Sequence, residues 1–349
     1  MSKNYKIGDP KIDPILEELG KLCVAKDCQH KFQEILATII KLGMEHKDLG
    51  DFKLINSALK ELRQAFKIYH PYRENPKVAV FGSSRLAEST AIYRLAESLG
   101  KQLADQGYMV ITGAGGGVME AANRGAGKDN SFGLNIKLPF EQDSNAFIKG
   151  DPKLMTFKYF FTRKLIFIKE SQATVLLPGG FGTLDEGMEC LTLFQTGKSS
   201  PRPIILLEPE GGTYWEHFLH MINTSLIPEG YISNDDRKLI QVSHSAEETV
   251  ALIDHYYRVY HSLRYVRQLT VLRLHQDISA GQLEELNREF KDILVDGEIT
   301  ASGPLKDELK NNEVPLLPRL VLHFNKKDFG RLNELILHLN NTGRKESPS

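Results

Sequence analysis

The chain has 349 residues, 41% of them hydrophobic and 26% charged, with a formal net charge of −1; this is the balance of a soluble globular protein too long for one ordinary domain. A near-neutral chain carries no global basic field, so neither nucleic acid nor an anionic membrane surface is an expected partner. No stretch approaches the roughly 18 consecutive apolar residues of a membrane span, and Cys23, Cys28 and Cys190 form no CxxC pair or dense framework, which points to a reducing, cytoplasmic setting without disulfides.

From about Asp13 to Tyr69 apolar residues recur at helical spacing (Ile15, Leu16, Leu19, Leu22; Ile35, Ile39, Ile40; Ile55, Leu59, Leu62, Phe66), which predicts helices broken near Lys47–Gly50. Pro71 and Pro76 mark a turn, so residues 1–76 read as a helical N-terminal region. Short β-branched runs follow at Val78–Phe81, Met109–Thr112, Leu134–Leu138, Ala173–Leu177 and Ile204–Leu207, separated by longer amphipathic stretches. Strands alternating with helices predict βαβ units, and runs that are apolar throughout predict strands covered on both faces. Residues 77–263 are therefore expected to form a doubly wound, Rossmann-like α/β domain with a parallel sheet. Beyond Arg267 the order becomes strand (Leu269–Leu274), helix (Ala280–Leu294), short strand (Glu298–Gly303), strand (Leu320–Phe324) and helix (Asp328–Leu339). That order predicts a small α+β module of ferredoxin-like type over residues 267–342, followed by a polar end, Asn340–Ser349, expected to fray.

The chemistry-bearing motifs all fall where a predicted strand ends, which is where open parallel sheets bind ligands. In Leu176-Leu-Pro-Gly-Gly-Phe-Gly-Thr-Leu-Asp-Glu186, Gly179, Gly180 and Gly182 allow a tight turn and close approach of a ligand. Free amides at the following helix N-terminus suit a phosphate, and Thr183 can cap that helix or donate to the phosphate. The competing reading is a capping box, T-x-x-E, with Thr183 as cap and Glu186 one turn in, which is purely structural. A second turn, Thr112-Gly-Ala-Gly-Gly-Gly-Val-Met-Glu120, has the same setting but the wrong spacing for G-x-G-x-x-G. Gly115, Gly116 and Gly117 are candidate phosphate or ribose contacts there, and Glu120 a candidate acceptor for ribose hydroxyls unless it is simply a helix-surface acid. Gly82, Ser83 and Ser84, with Arg85 after them, close the first strand and suit a phosphorylated sugar. Arg163 and Lys164 near the start of another predicted helix oppose its dipole, so something anionic is expected to offset them; the alternative is a solvated face. No His/Cys/Asp cluster has metal-ligand spacing, and His217 and His220 lack third and fourth partners.

Together these motifs resemble the LOG family, also known as lysine decarboxylase-like. The family pattern of an arginine-lysine pair and P-G-G-x-G-T-x-x-E stands here as Arg163-Lys164 and Pro178–Glu186, with Gly-Ser-Ser, Gly-Gly-Gly-Val-Met-Glu and Gly133-Leu-Asn-Ile-Lys-Leu-Pro139 also matching. The resemblance covers roughly Lys77–His261. It implies a phosphoribohydrolase that releases the base from a nucleoside 5′-monophosphate, with Arg163 and Glu186 as the catalytic pair and the glycine turns and Thr183 holding the 5′-phosphate. It also implies at least a homodimer and no metal or redox cofactor. The decarboxylase label would imply pyridoxal phosphate, for which the residues give no independent support. The extra N-terminal helices and C-terminal module resemble the larger bacterial nucleotide nucleosidases of this group rather than the smallest, cytokinin-directed members. The rival readings are a nucleotide carrier without catalysis, since fold and phosphate grip do not establish a reaction, and a regulatory protein moved by nucleotide occupancy.

Overall fold

The computed structural model describes residues 6–46, 48–139, 143–308 and 314–342. Two compact units are present, Met1–Lys60 and Glu61–Ser349. The first contains α1 (Ile12–Cys23), α2 (Gln29–Glu45) and the start of α3 (Leu49–Tyr69). The expected break lies between α2 and α3, where the Asp48 carboxylate accepts from the amides of Gly50 and Asp51; Lys47 lies outside the described residues.

The second unit is built on a seven-stranded, all-parallel sheet: β1 (Lys77–Phe81), β2 (Met109–Thr112), β3 (Ser131–Ile136), β4 (Leu154–Phe157), β5 (Ala173–Leu176), β6 (Ile204–Leu207) and β7 (Ile240–Ser243). The spatial order is β4-β3-β2-β1-β5-β6-β7. The fold is thus α/β and doubly wound, as the alternating pattern predicts. Consecutive residues of one strand enter different cores: Val78 and Val80 face the α4/α5 side, whereas Ala79 and Phe81 join the larger core on the other. This is why these runs show no polar alternation. Strands β4 and β7 escape the sequence reading because both are four-residue edge strands with partly exposed positions and polar members (Thr156; Gln241, Ser243).

The crossovers carry α4 (Ala91–Asp105), α5 (Val118–Ala126), α6 (Phe160–Glu170), α7 (Phe181–Gln195), α8 (Tyr214–Met221) and α9 (Ala246–Tyr256). Glycines bring α4 and α5 together backbone to backbone: a Cβ at Gly100 would lie 2.2 Å from the Ala122 carbonyl oxygen, and one at Gly125 1.9 Å from that of Glu97.

The C-terminal part is a four-stranded antiparallel sheet of β8 (Tyr260–Val266), β9 (Leu269–Leu274), β10 (Thr300–Ser302) and β11 (Arg319–Leu322), in the order β10-β11-β9-β8, with α10 (Ala280–Glu289) and α11 (Phe329–Thr342). Its chain order is β-β-α-β-β-α, which departs from the expected ferredoxin-like order by placing one edge strand, β8, at the start. Residue 263, where the α/β domain was expected to end, falls inside β8. The predicted fraying from Asn340 is corrected as well. Asn340 is buried in α11; its side chain accepts from the amides of Val259 and Tyr260 and donates to the Tyr256 carbonyl at 2.5 Å, while residues 343–349 lie outside the described ones. One apolar core includes Leu206 and Trp215 of the parallel-sheet layer together with Leu272, Leu322 and Leu335 of the C-terminal layers.

Candidate active site

Strand order reverses direction between β1 and β5, and the carboxyl ends of these two strands open the crevice in which doubly wound folds bind ligands. Backbone hydrogen bonds tie three turns together there. The Ser83 amide donates to the Pro178 carbonyl at 3.1 Å, and the Val118 amide donates to the Ser83 carbonyl at 3.0 Å. Gly117 has φ +60° and ψ −128°, and a Cβ there would lie 2.3 Å from the Ser83 carbonyl oxygen, so any side chain would part these turns. Below them the buried Thr112 hydroxyl and the Asn145 amide both donate to the Asn123 side-chain oxygen, and Asn145 also donates to the Gly115 carbonyl.

The turn after β5 leads into α7, whose N-cap is Gly180. The capping-box reading is thereby overturned: Thr183 is the third residue inside the helix, and Glu186 lies a turn beyond it. The Thr183 and Leu184 amides both donate to the Gly180 carbonyl, which leaves the amides of Phe181 and Gly182 as the free donors at the helix start. Nothing lies within 4 Å of a Cβ built at Gly180 or Gly182, so this stretch of backbone is open. A Cβ at Gly179 would lie 2.2 Å from Thr183 Oγ1 and 2.9 Å from the Ser83 amide nitrogen. Tyr214, the first residue of α8, donates its hydroxyl to the Gly179 carbonyl at 2.6 Å.

These turns surround a cleft of about 840 Å³. Arg163 on α6 and Glu186 on α7 form one wall, with Arg163 Nη2 donating to Glu186 Oε1 at 3.3 Å. Their side chains are 12% and 6% exposed, which rules out the solvated-face alternative for Arg163. The Arg163 guanidinium also lies over the rings of Phe160 and Phe167, and its buried Nε has no hydrogen-bond partner among the described residues. Lys164 Nζ approaches Glu186 Oε2 at 3.4 Å and Asp185 and Glu189 at 2.9 Å each. The anionic offset expected for the two cations therefore comes from carboxylates of α7. Burial pushes the Glu186 carboxyl above its ordinary value even though Lys164 and Arg163 pull against it. Burial likewise lowers the Arg163 guanidinium, with Glu186 opposing. For Lys164 burial is outweighed by the neighbouring carboxylates of Asp185, Glu189 and Glu186, and its ammonium is held above the ordinary lysine range.

Of the residues singled out from the sequence, Gly82, Ser83, Ser84, Gly115, Arg163, Gly179, Gly180, Gly182, Thr183 and Glu186 line this cleft, whereas Gly116, Gly117, Glu120 and Lys164 do not. Gly117 acts through the packing of the turn, and Lys164 through the carboxylates of α7. The sequence reading passed over Asn135, Ile136, Met119 and Phe167, which also line the cleft. For Asn135 and Ile136 the signal was available in Gly133–Pro139, since they end β3 beside the glycine turn. Met119 and Phe167 look in sequence like ordinary helix residues.

A family model described as "Possible lysine decarboxylase" matches residues 119–253. The cytokinin riboside 5′-monophosphate phosphoribohydrolase LOG of Oryza sativa subsp. japonica is 26% identical over 186 residues, 52% of this chain and 73% of the relative. LOG1 of Arabidopsis thaliana, named for the same activity, is 28% identical over 183 residues, 52% of this chain and 83% of its own length. Residues 119–253 thus match a lysine decarboxylase-like, LOG-family domain. Among solved structures, the molybdenum cofactor binding protein of Rippkaea orientalis is similar over 52% of this chain and 96% of its own, with 22% identity and a TM-score of 0.38. The decarboxylase description of the LOG-family domain implies pyridoxal phosphate, and the residues do not fit it. A Schiff base needs a neutral amine, the cleft wall contains no lysine among the described residues, and neighbouring Lys164 is held protonated between three carboxylates.

Proposed function

We propose that the LOG-family domain hydrolyses the N-glycosidic bond of nucleoside 5′-monophosphates, releasing the free base and ribose 5-phosphate. The observation that carries this reading is the placement of a buried Arg163–Glu186 pair on the wall of the same cleft as an open glycine turn at a helix start. The free amides of Phe181 and Gly182 and the α7 dipole suit the 5′-phosphate, whose binding energy positions a ribose remote from the reacting bond. Breaking the bond develops positive oxocarbenium character at C1′. The Glu186 carboxylate, held in place from both sides by Arg163 and Lys164, stabilises that charge and assists the attacking water, whose oxygen bonds to C1′ as the base departs with a proton. This chemistry calls for no metal or redox cofactor. The relatives' names support a nucleotide substrate. The additional helices and C-terminal module favour ordinary purine or pyrimidine nucleotides over a dedicated cytokinin role. We further take the enzyme to be a cytoplasmic homo-oligomer; its three free cysteines fit a reducing compartment, and sedimentation of the purified protein tests the assembly.

The direct test incubates metal-free protein with a panel of nucleoside monophosphates and follows base and ribose 5-phosphate by chromatography. Release from AMP or a related nucleotide, lost in Glu186→Gln, is the expected result. Nucleotide binding without release across the panel would leave a carrier or regulatory protein instead.

A further inference from the structure

A second cavity, of about 650 Å³, opens beside the carboxyl ends of β6 and β7 and is separate in its lining from the cleft above. Its wall gathers Arg237, which precedes β7, His217 and His220 from α8, and His244, which follows β7. Arg237 is half-buried and donates to the Ile240 carbonyl at 3.2 Å, yet no carboxylate among the described residues pairs with it. Burial alone pulls its guanidinium down, with no acid opposing.

Two acids share this wall. Glu208 is 2% exposed and already engaged: its two oxygens accept from the amides of Tyr214 and Trp215, closing the N-terminus of α8. Glu216 is exposed in the first turn of α8, where the helix dipole favours an acid. Neither neutralises Arg237. A desolvated guanidinium without a counter-charge is costly unless an anion completes it. Arginine's planar fork suits an oxyanion, and imidazoles supply further donors. The position is also one that ligands use, outside the carboxyl ends of parallel strands, and the volume matches a small metabolite rather than a lone ion.

We infer that this cavity is a second ligand site, taking a phosphorylated small molecule whose phosphate sits between Arg237 and the histidines of α8 and of the turn after β7. The site does not depend on the reading of the first cleft.

The test uses the full chain labelled with ¹³C at histidine Cε1, titrated with inorganic pyrophosphate and, separately, with citrate. No histidine lines the first cleft, so occupancy there leaves these probes silent. The resonances of His217, His220 and His244 are expected to move saturably, with half-saturation below about 1 mM pyrophosphate. Arg237→Ala is expected to weaken that binding about tenfold or more, the scale of a lost charge-assisted hydrogen bond. Because Arg237 also braces its own loop, the double variant His217→Gln/His220→Gln, altered only at exposed positions, is measured beside it and is expected to weaken binding too. Silent histidines in the unaltered protein would overturn the site, as would binding that both variants leave unchanged. Citrate binding as tight as pyrophosphate would overturn the assignment to phosphate.

Discussion

At the scale of single residues the proposed chemistry depends on how Glu186 is held. Its two oxygens face Arg163 and Lys164 at 3.3 and 3.4 Å, so among the described residues these two cations orient the carboxylate. Glu186→Gln keeps the shape but removes the charge, and turnover is expected to fall by about 10²- to 10⁴-fold, as for other positioned acid-base groups, with circular dichroism unchanged. Near-normal kinetics would take Glu186 out of the mechanism. The pH profile follows from the direction of its shift. Burial raises the Glu186 carboxyl, so the charged form needed at C1′ appears only at a pH above the ordinary glutamate value. The rate should rise with pH through that raised midpoint and fall as the pH drops below it. A midpoint at or below the ordinary value would show that another group sets the limb. These two residues were legible in the sequence because their spacing and type form a motif. The resemblance also implied them as a pair; what no motif carries is the contact itself, a hydrogen bond between side chains 23 positions apart.

At the scale of elements, the glycine turns differ in what they tolerate. Gly117→Ala would force a side chain into a backbone region reserved for glycine and onto the Ser83 carbonyl, so a loss of about 1–3 kcal/mol is expected from the backbone alone, read as a lowered Tm. Gly182→Ala meets open space, so stability should hold while nucleotide affinity falls. Equal stability losses in both would contradict this division. Helix α6 has a brace that no motif announced. Glu61 of α3 accepts from the Lys158 amide at 2.7 Å and from the Thr162 hydroxyl, placing a carboxylate at the positive end of the helix that carries Arg163. Glu61→Ala should cost about 1 kcal/mol, the scale of a lost cap, and lower turnover through the displaced arginine. Glu61 lies 97 residues from Lys158, and from the sequence it is one charge on a helix surface. Conversely, the capping box read from Thr183 and Glu186 failed because the helix begins three residues earlier, at Phe181, where the glycine turn rather than a hydroxyl side chain ends the preceding loop.

At the scale of the whole molecule, the parallel sheet was legible because buried strands read as continuous apolar runs. The C-terminal layers were legible as elements but not as a partner of that sheet. Asn340 binds the backbone at Tyr256, Val259 and Tyr260; Asn333 accepts from the Tyr256 hydroxyl and donates to the Lys238 carbonyl; and Gly330 lies against the Asp235 carbonyl. None of these polar contacts leaves a periodic trace. Truncation before Arg267 would strip apolar cover from the shared core, so the shortened protein is expected to lose cooperative unfolding or to precipitate; a soluble fragment with an unchanged Tm would show the C-terminal layers to be independent.

The contact between α4 and α5 bears on how the cleft moves. At Gly100 and Gly125 the two helices meet backbone against backbone, and the Arg124–Glu97 ion pair ties them again beside that contact. The nine-residue α5 cannot tilt without dragging the fifteen-residue α4 along, and the pair behaves mechanically as one stiff lever ending at the Gly115–Gly117 turn. The opposite jaw, at Gly179–Gly182, is tied at its base by the Tyr214 hydroxyl and the Ser83 amide but has empty space beside Gly180 and Gly182. We therefore expect breathing of the mouth to be one-sided, with the Gly180–Gly182 backbone the side that yields.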